Sequence, residues 1–189
     1  MRSSINGRSS CLRVLLSASC LLLSGCGYTT RPGLAAYLRT VYVKPFTNQI
    51  DLTQLTNDYQ HFPVYRPGME SDVTNAVIKR FQFTGLMRIA SPDKADSRIE
   101  GELVEFRRDA LRYDASQNVE EWRLNVVVNV RFYDLHSTQP TQPMWDESRL
   151  TGDVTYFATG PNAESETGAL DRAVQDAARR VVERTVENW

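Results

Sequence analysis

Cys26 is the residue of this chain whose chemistry is best defined by its neighbours. It follows Leu23, Ser24 and Gly25 at the end of an apolar run, which is the pattern of a lipobox. After such a box a bacterial signal peptide is cut, and the new terminal cysteine is acylated. We therefore expect Cys26 to carry lipid, so that its sulfur can neither form a disulfide nor bind a metal.

The residues before Cys26 have the parts of an export signal. Val14 to Leu23 is a ten-residue apolar stretch, shorter than the roughly 20 residues that span a bilayer. Three arginines and no acidic residue precede its end: Arg2, Arg8 and Arg13. An ordinary secretory signal followed by a chance cysteine is the alternative. We predict that residues 1–25 are a lipoprotein signal peptide and that residues 26–37 are a lipid-anchored tether.

Gly27 follows the predicted anchor, where enteric-type bacteria use Asp to retain lipoproteins in the inner membrane. The expected location is therefore the outer membrane, on its periplasmic face. Removing 25 of 189 residues leaves 164, enough for one domain over residues 38–189. The mature chain has 19 basic and 23 acidic residues after Arg2, Arg8 and Arg13 are removed, a net charge of −4. This charge argues against a nucleic-acid partner.

Residues that could perform catalysis are sparse in the mature chain. Cys11 and Cys20 fall in the signal, and the two histidines, His61 and His136, lie in polar stretches without metal-ligand spacing. Glu100 and Glu102 share one face of a predicted strand, either as a solvated face or as a paired acid and base. We expect no enzyme, no metal and no cofactor, and leave a small hydrolase using this pair as an alternative.

Six elements must position these residues. The strands are predicted from runs of β-branched and aromatic residues, and the helices from apolar positions at helical spacing. Gly85 is a plausible stop for the first helix. The expected elements are the strand Leu38–Phe46, the helix Met69–Phe83, the strands Ser97–Phe106, Glu121–Tyr133 and Trp145–Phe157, and the helix Thr167–Trp189.

The strand Glu121–Tyr133 indicates how these elements pack. Leu124, Val126 and Val128 point one way, whereas Arg123 and Asn125 point the other, so one sheet face is core and the other is wet. Two amphipathic helices can cover the apolar face. The prediction is an α+β fold: a two-layer sandwich with a four-stranded mixed sheet, two helices on one face and the order β-α-β-β-β-α.

Short motifs over nearly the whole mature chain resemble the LPS-assembly lipoprotein family (LptE-like). The motifs are individually short, and their order and spacing carry the resemblance. They are Cys26-Gly27-Tyr28, Val41 to Asn48, Pro67-Gly68-Met69-Glu70, Ala95-Asp96, Gly101, Tyr113, Val119 to Leu124, Tyr133-Asp134, Met144-Trp145 and Tyr156. The stretch Thr47–Pro67 departs from the family, because it is longer than the connection usual there.

The resemblance implies a non-enzymatic lipoprotein that plugs the β-barrel of the outer-membrane LPS translocon. Such a protein helps the barrel to assemble and supports LPS delivery to the outer leaflet. Its partners would be the barrel protein, the membrane through acylated Cys26, and LPS itself if LPS is bound directly. A periplasm-facing regulator, such as an activator of a peptidoglycan synthase, is the alternative function.

Clustered arginines are the side chains that lipid A phosphates would require. Arg107, Arg108 and Arg112 lie at the end of the second predicted strand and in the connection after it, and Arg123 can lie near them across the hairpin. They are the candidate LPS contacts. A solvated turn with local ion pairs to Asp109 is the simpler interpretation.

Overall fold

The computed structural model describes residues 35–50, 61–62 and 66–187, with His61, Phe62 and Glu187 described by backbone alone. Cys26, the signal peptide and the tether up to residue 34 lie outside the described residues. The same is true of residues 51–60 and 63–65 within the long stretch Thr47–Pro67. The lipidation site and the proposed segment boundaries therefore remain predictions.

The fold is α+β, with a mixed sheet and two helices. The elements, in chain order, are β1 (Thr40–Val43), β2 (Thr47–Asn48), β3 (His61–Phe62), α1 (Met69–Thr84), β4 (Arg88–Ile89), a 3₁₀ turn (Pro92–Lys94), β5 (Ser97–Tyr113), β6 (Val119–Asp134), β7 (Trp145–Phe157) and α2 (Glu166–Glu187). The sheet order is β4-β1-β5-β6-β7, and β2 and β3 also pair with β5. Strand β1 pairs in parallel with β4 and β5, and β2 pairs in parallel with β5. Strand β6 is antiparallel to both of its neighbours, β5 and β7.

The predicted count of four strands was wrong, because seven are found within the described residues. The additional strands β2, β3 and β4 have two residues each. Two residues cannot display an alternating pattern, so pairing with a longer neighbour creates these strands. The first strand was also predicted too long, since β1 ends at Val43, before the proline at position 45.

Strand β5 continues seven residues beyond its predicted end at Phe106. The added segment is half-buried to exposed, with charged side chains among Ala110, Leu111 and Tyr113, and its pairing with β6 holds it in the sheet. Arg107, Arg108 and Arg112 consequently lie within the strand rather than in a connection. The register with β6 shifts between Leu103 and Glu105, which marks an irregularity in the pairing.

The core lies between the sheet and the helices. Along β6, Leu124, Val126 and Val128, which were predicted to point inward, are buried at 0% exposure, and so are Val130 and Phe132. Helix α1 ends at Gly85 (φ 64°), as predicted, and its amide donates to Phe81 O at 3.0 Å. A left-handed residue after a helix is the usual site for glycine, because it has no Cβ.

Two glycines make the close approaches on which this core depends. A Cβ on Gly152 in β7 would lie 2.3 Å from the backbone nitrogen of Ala177, so α2 rests directly on the strand. A Cβ on Gly101 in β5 would lie 2.1 Å from Cε1 of Phe46, whose ring fills the space above it. The close contact of α2 also requires the small side chain of Ala177, which is fully buried.

The outer edge of β7 is covered by polar groups of α2. The Asp153 amide donates to Asp176 Oδ2 at 3.1 Å, and Nη2 of Arg172 donates to Thr155 O at 3.3 Å. The Glu164 amide, just before the helix, donates to Phe157 O at 2.9 Å. Helix α2 thus provides hydrogen-bond partners for an edge strand that has no further strand beside it in the described sheet.

Candidate functional site

The sheet surface facing away from the helices is called here the outer face. It is formed by alternate residues of β5, β6 and β7, and the register aligns oppositely charged or polar side chains across it. Glu100 lies opposite Arg131, Arg107 opposite Asn125, and Asp109 opposite Arg123. The same alternation that buries the core residues places these groups together.

Ion pairs connect most charges of the outer face. Arg131 lies 2.6 Å from Glu102, and Arg107 lies 2.9 Å from both Glu105 and Asp109. Arg149, which has a positive φ of 58° at a register shift, also pairs with Glu105. The outer face therefore carries many individual charges, but most of them are neutralised by ion pairs within the same face.

Asn125 was expected to be wet, and this expectation was wrong, because its exposed fraction is 5%. Its Nδ2 donates to Asp109 Oδ2 at 2.8 Å, within the row of ion pairs on β5. Val127 and Tyr133, on the same face, are also buried, at 2% and 6% exposure. The guanidinium of Arg98 lies 4.6 Å from the centroid of the Tyr133 ring. Long charged side chains thus cover this face of β6.

The two glutamates considered as an acid–base pair have separate cationic partners. Glu100 lies 3.2 Å from Lys44 and 3.1 Å from Arg98, whereas Glu102 pairs with Arg131. Such pairing is typical of structural ion-pair networks and does not by itself indicate catalysis. Among the described residues, no group of three or more His, Cys, Asp or Glu side chains could hold a metal ion.

The structure separates the predicted arginine cluster. Arg107 lies on the outer face, whereas Arg108 points to the helix side of the sheet. Nη1 of Arg108 lies 2.5 Å from Glu166 Oε2 at the start of α2, and its guanidinium stacks over Trp122 at 4.2 Å. Arg108 therefore fastens the N-terminus of α2 to the sheet.

Arg112 and Arg123 are the more accessible members of the cluster. The Arg112 side chain is 57% exposed, lies 3.5 Å from Glu121 and is 5.6 Å from the centroid of the Phe157 ring. Arg123 is exposed, beside Arg107 on the outer face as predicted, and forms no ion pair with any other residue that the structure describes. These two cations can accept an anionic ligand with little rearrangement.

The turn between β5 and β6, together with the last residues of β5, is called here the hairpin tip (residues 111–119). Leu111 and Tyr113 are 41% and 49% exposed there. The Asp114 carboxylate accepts the amides of Ser116 and Asn118 at 2.8 and 2.9 Å, and the bonds from Asn118 lower its pKa. An ordered turn thus presents apolar side chains beside Arg112.

A hydrogen-bonded group, called here the junction cluster, lies where the chain enters the domain. Oδ2 of Asp96 accepts the amides of Arg39 and Thr40 at 3.0 and 2.9 Å, and the hydroxyl of Thr40 at 2.8 Å. Nε2 of His136 lies 3.0 Å from Asp96 Oδ1. The bonds from His136 and Thr40 hold the pKa of Asp96 well below its usual range.

Tyr37 joins the same cluster from the tether side. Its hydroxyl donates to Asp134 Oδ2 at 2.6 Å, which raises the pKa of the phenol, and Asp134 Oδ1 accepts the His136 amide at 2.8 Å. Sequence reasoning missed the role of His136, because 40 residues separate it from Asp96. The sequence signals at this cluster were the motifs Ala95-Asp96 and Tyr133-Asp134, to which no role was assigned.

None of the helices in the described part of the chain is long and apolar enough to cross a membrane. In sequence, a family model described as "LptE: Lipopolysaccharide-assembly" matches residues 38–185. None of the curated proteins compared with the chain matches it.

Three solved structures have a similar chain trace at low sequence identity. The hypothetical protein CT253 from Chlamydia trachomatis is 13% identical, with a TM-score of 0.50, over 78% of this chain and 95% of that one. Rare lipoprotein B from Shewanella oneidensis is 10% identical (TM-score 0.45; 79% and 95% covered). A minor lipoprotein from Acinetobacter baumannii is 12% identical (TM-score 0.47; 79% and 94% covered).

Proposed function

The chain belongs to the LptE lipopolysaccharide-assembly family, and from this membership we propose that it is an outer-membrane lipoprotein that plugs the LPS translocon barrel. In this proposal residues 1–25 are removed, Cys26 is acylated, and residues 26–37 tether the domain of residues 38–189 to the periplasmic face of the membrane. The domain helps the barrel to assemble and supports delivery of LPS to the outer leaflet, without catalysing a reaction.

The observation that carries the proposal of a plug is the internal neutralisation of the outer face. The interior of a membrane β-barrel is polar. A protein that fills it must fold around its own core and present a polar surface whose charges do not remain unpaired when water is excluded. Glu102, Glu105 and Asp109 each already have a cationic partner, so burying this face against a wall leaves few charges without a partner.

The test is affinity purification of the full chain through a C-terminal tag from detergent-solubilised envelopes. We expect a large β-barrel protein to be recovered at a stoichiometric level. Depleting the protein should lower the amount of assembled barrel and of surface LPS. A peptidoglycan synthase in place of the barrel, with surface LPS unchanged, would instead indicate the regulatory function.

We propose the four arginines as the LPS contacts, and their surroundings indicate which of them are the more accessible to a ligand. Arg112 and Arg123 are accessible, and Arg112 lies in sequence between the exposed Leu111 and Tyr113, so cationic and apolar groups are close together at the hairpin tip. A glycolipid with phosphates and acyl chains offers both kinds of complement. Arg107 and Arg108 already have carboxylate partners and would have to share them.

We expect Arg112→Glu combined with Arg123→Glu to weaken binding of purified LPS about tenfold or more. Each charge-assisted hydrogen bond contributes about 1.5–3 kcal/mol, and the substitution adds repulsion. The measurement is retention of LPS by the purified protein over a concentration series. The control is Lys79→Glu on exposed α1, compared with each single variant, Arg112→Glu and Arg123→Glu, because all three reverse one charge. Equal weakening by the control and by the single variants would show that only net charge matters.

A further inference from the structure

A cleft of about 280 Å³ opens at the margin of the outer face, where β1 ends beside the start of β5. It is called here the Lys44 cleft. The described residues that line it are Tyr42, Lys44, Pro92, Arg98, Glu100 and Leu135. Three of them are apolar or aromatic and three are charged, so the cleft combines apolar surface with charge. None of them belongs to the arginine cluster or to the junction cluster.

The charges of the Lys44 cleft do not balance. Nζ of Lys44 and Nε of Arg98 lie 3.2 and 3.1 Å from the same oxygen, Oε1 of Glu100. The lining therefore carries two cations and one carboxylate, a net charge of +1. Nε of Arg98 is buried and, in spite of this short contact, forms no aligned hydrogen bond within the described residues. The cleft can thus accept one further negative charge.

Acids outside the lining do not supply this charge. Asp146 lies on β7, two strands away from Glu100, because Arg131 of β6 stands between them in the register. Asp93 and Lys94, which are both exposed in the 3₁₀ turn, offset each other. The excess of positive charge is therefore local to the cleft.

The middle of the outer face has no such excess. Two arginines there pair with two carboxylates: Arg107, Arg149, Glu105 and Asp109. A wall placed against that part meets charges that already have partners. The same wall would remove a cation of the Lys44 cleft from water without a full partner, which is costly unless the wall supplies an anion.

The volume of the cleft indicates what kind of anion fits it. Sites for drug-sized ligands usually measure about 300–1,000 Å³, and a glycolipid with several sugars and acyl chains is larger than such ligands. The Lys44 cleft, at about 280 Å³, lies below this range. It can hold a single acidic side chain, whose carboxylate meets Lys44 and Arg98 while its methylene groups contact Tyr42 and Leu135.

We propose that the Lys44 cleft binds an aspartate or glutamate side chain from the inner wall of the partner barrel. The carboxylate lies between Nζ of Lys44 and the guanidinium of Arg98, and it supplies the negative charge that Glu100 alone does not. The inference rests on the proposed plug, in which the outer face lies against the wall. It adds the charge that the wall carries opposite the end of β1.

Zero-length cross-linking tests this contact directly. The tagged protein, processed in bacteria and purified with the barrel, is treated with a water-soluble carbodiimide, which joins an amine to a carboxylate only where the two are in contact. Mass spectrometry should identify a peptide containing Lys44 joined to an acidic residue of the barrel. The chain has two other lysines, Lys79 and Lys94, both exposed, which are internal controls for non-specific coupling.

The results that would overturn the inference are distinct from failure of the plug. Lys44 joined only to Glu100 of its own chain, or joined to nothing, would overturn the inference alone. Equal yields of barrel products at all three lysines would do the same, because such yields require no docking site. Recovery of no barrel by the wild-type protein would overturn the proposed plug and this inference together.

Charge reversal provides a second measurement. Lys44→Glu should lower recovery of the barrel about threefold or more, because repulsion replaces attraction at the wall carboxylate, whereas Lys44→Arg should retain it. The matched control is Lys79→Glu, which reverses the same charge on α1, on the helix side of the sheet. Circular dichroism should give all three variants the Tm of the wild type.

Equal recovery of the barrel with Lys44→Glu and Lys79→Glu would contradict a docking point at Lys44. Retention of LPS by the purified protein identifies the other source of an anion, the phosphates of the glycolipid. Lys44→Glu should leave this retention unchanged. A variant that loses LPS and still recovers the barrel would overturn the inference, by assigning the cleft to the glycolipid.

Discussion

Gly152→Val is expected to destabilise the domain by about 3 kcal/mol or more, at the upper end of what overpacking a core costs. The first atom of the new side chain would lie 2.3 Å from the Ala177 backbone nitrogen and 2.6 Å from its Cα. A helix backbone cannot rotate away as a side chain can. Helix α2 must therefore leave β7, and the buried contacts of Val174, Ala178 and Val181 are weakened with it.

Thermal unfolding followed by circular dichroism measures this effect. For a domain of this size, 3 kcal/mol corresponds to a fall in Tm of roughly 6–12 °C. Thr155→Val is the matched control, because it adds a branched apolar side chain to an exposed position of the same strand and should change stability by less than about 0.5 kcal/mol. An unaltered Tm for Gly152→Val would mean that α2 does not rest on the strand as described.

Asp96→Ala is expected to cost about 2–3 kcal/mol, since it removes the acceptor of several hydrogen bonds to a charged group. Two backbone amides, of Arg39 and Thr40, would lose their partner where the chain enters the sheet. Urea unfolding at neutral pH measures the loss. Asp93→Ala, which removes an exposed carboxylate three residues earlier, is the control and should have little effect.

The stabilisation by Asp96 depends on pH in a defined direction. Because the pKa of Asp96 in the folded protein is lowered, the unfolded chain takes up the proton first as the pH falls. The stabilisation is fully present above the unfolded pKa of about 3.9 and decreases below it, toward the folded pKa. The difference between wild type and Asp96→Ala should therefore shrink as the pH falls below about 4. A difference that grows below pH 4 would contradict this assignment.

The parts of the fold that were predictable are those that repeat a pattern over many residues. The alternation along β6 identified its buried face, and the helical spacing after Met69 identified α1, with Gly85 as its stop. The short strands were not predictable, because their two residues pair only when β5 is already in place. The second half of β5 was not predicted as a strand either, because cross-strand pairing and not burial keeps it extended.

The candidate site shows a similar limit. The composition and order of the arginines indicated a basic group, but the period of two in a strand sends Arg107 and Arg108 to opposite sides of the sheet. The prediction that Arg107 and Arg108 lie side by side assumed that they belong to a connection and not to a strand. The junction cluster needed knowledge of long-range contacts, because Asp96 meets Thr40 and His136 from distant parts of the chain.

The polar groups of α2 along β7 also affect contacts between copies of the protein. An unpaired edge strand can accept a strand from another molecule and begin aggregation. With the Asp153 amide bonded to Asp176 and the Thr155 carbonyl bonded to Arg172, two backbone groups of β7 already have partners. A change that lifts α2 frees these groups for pairing with another molecule. The helix that completes the core therefore also restricts the access of a second copy to this edge.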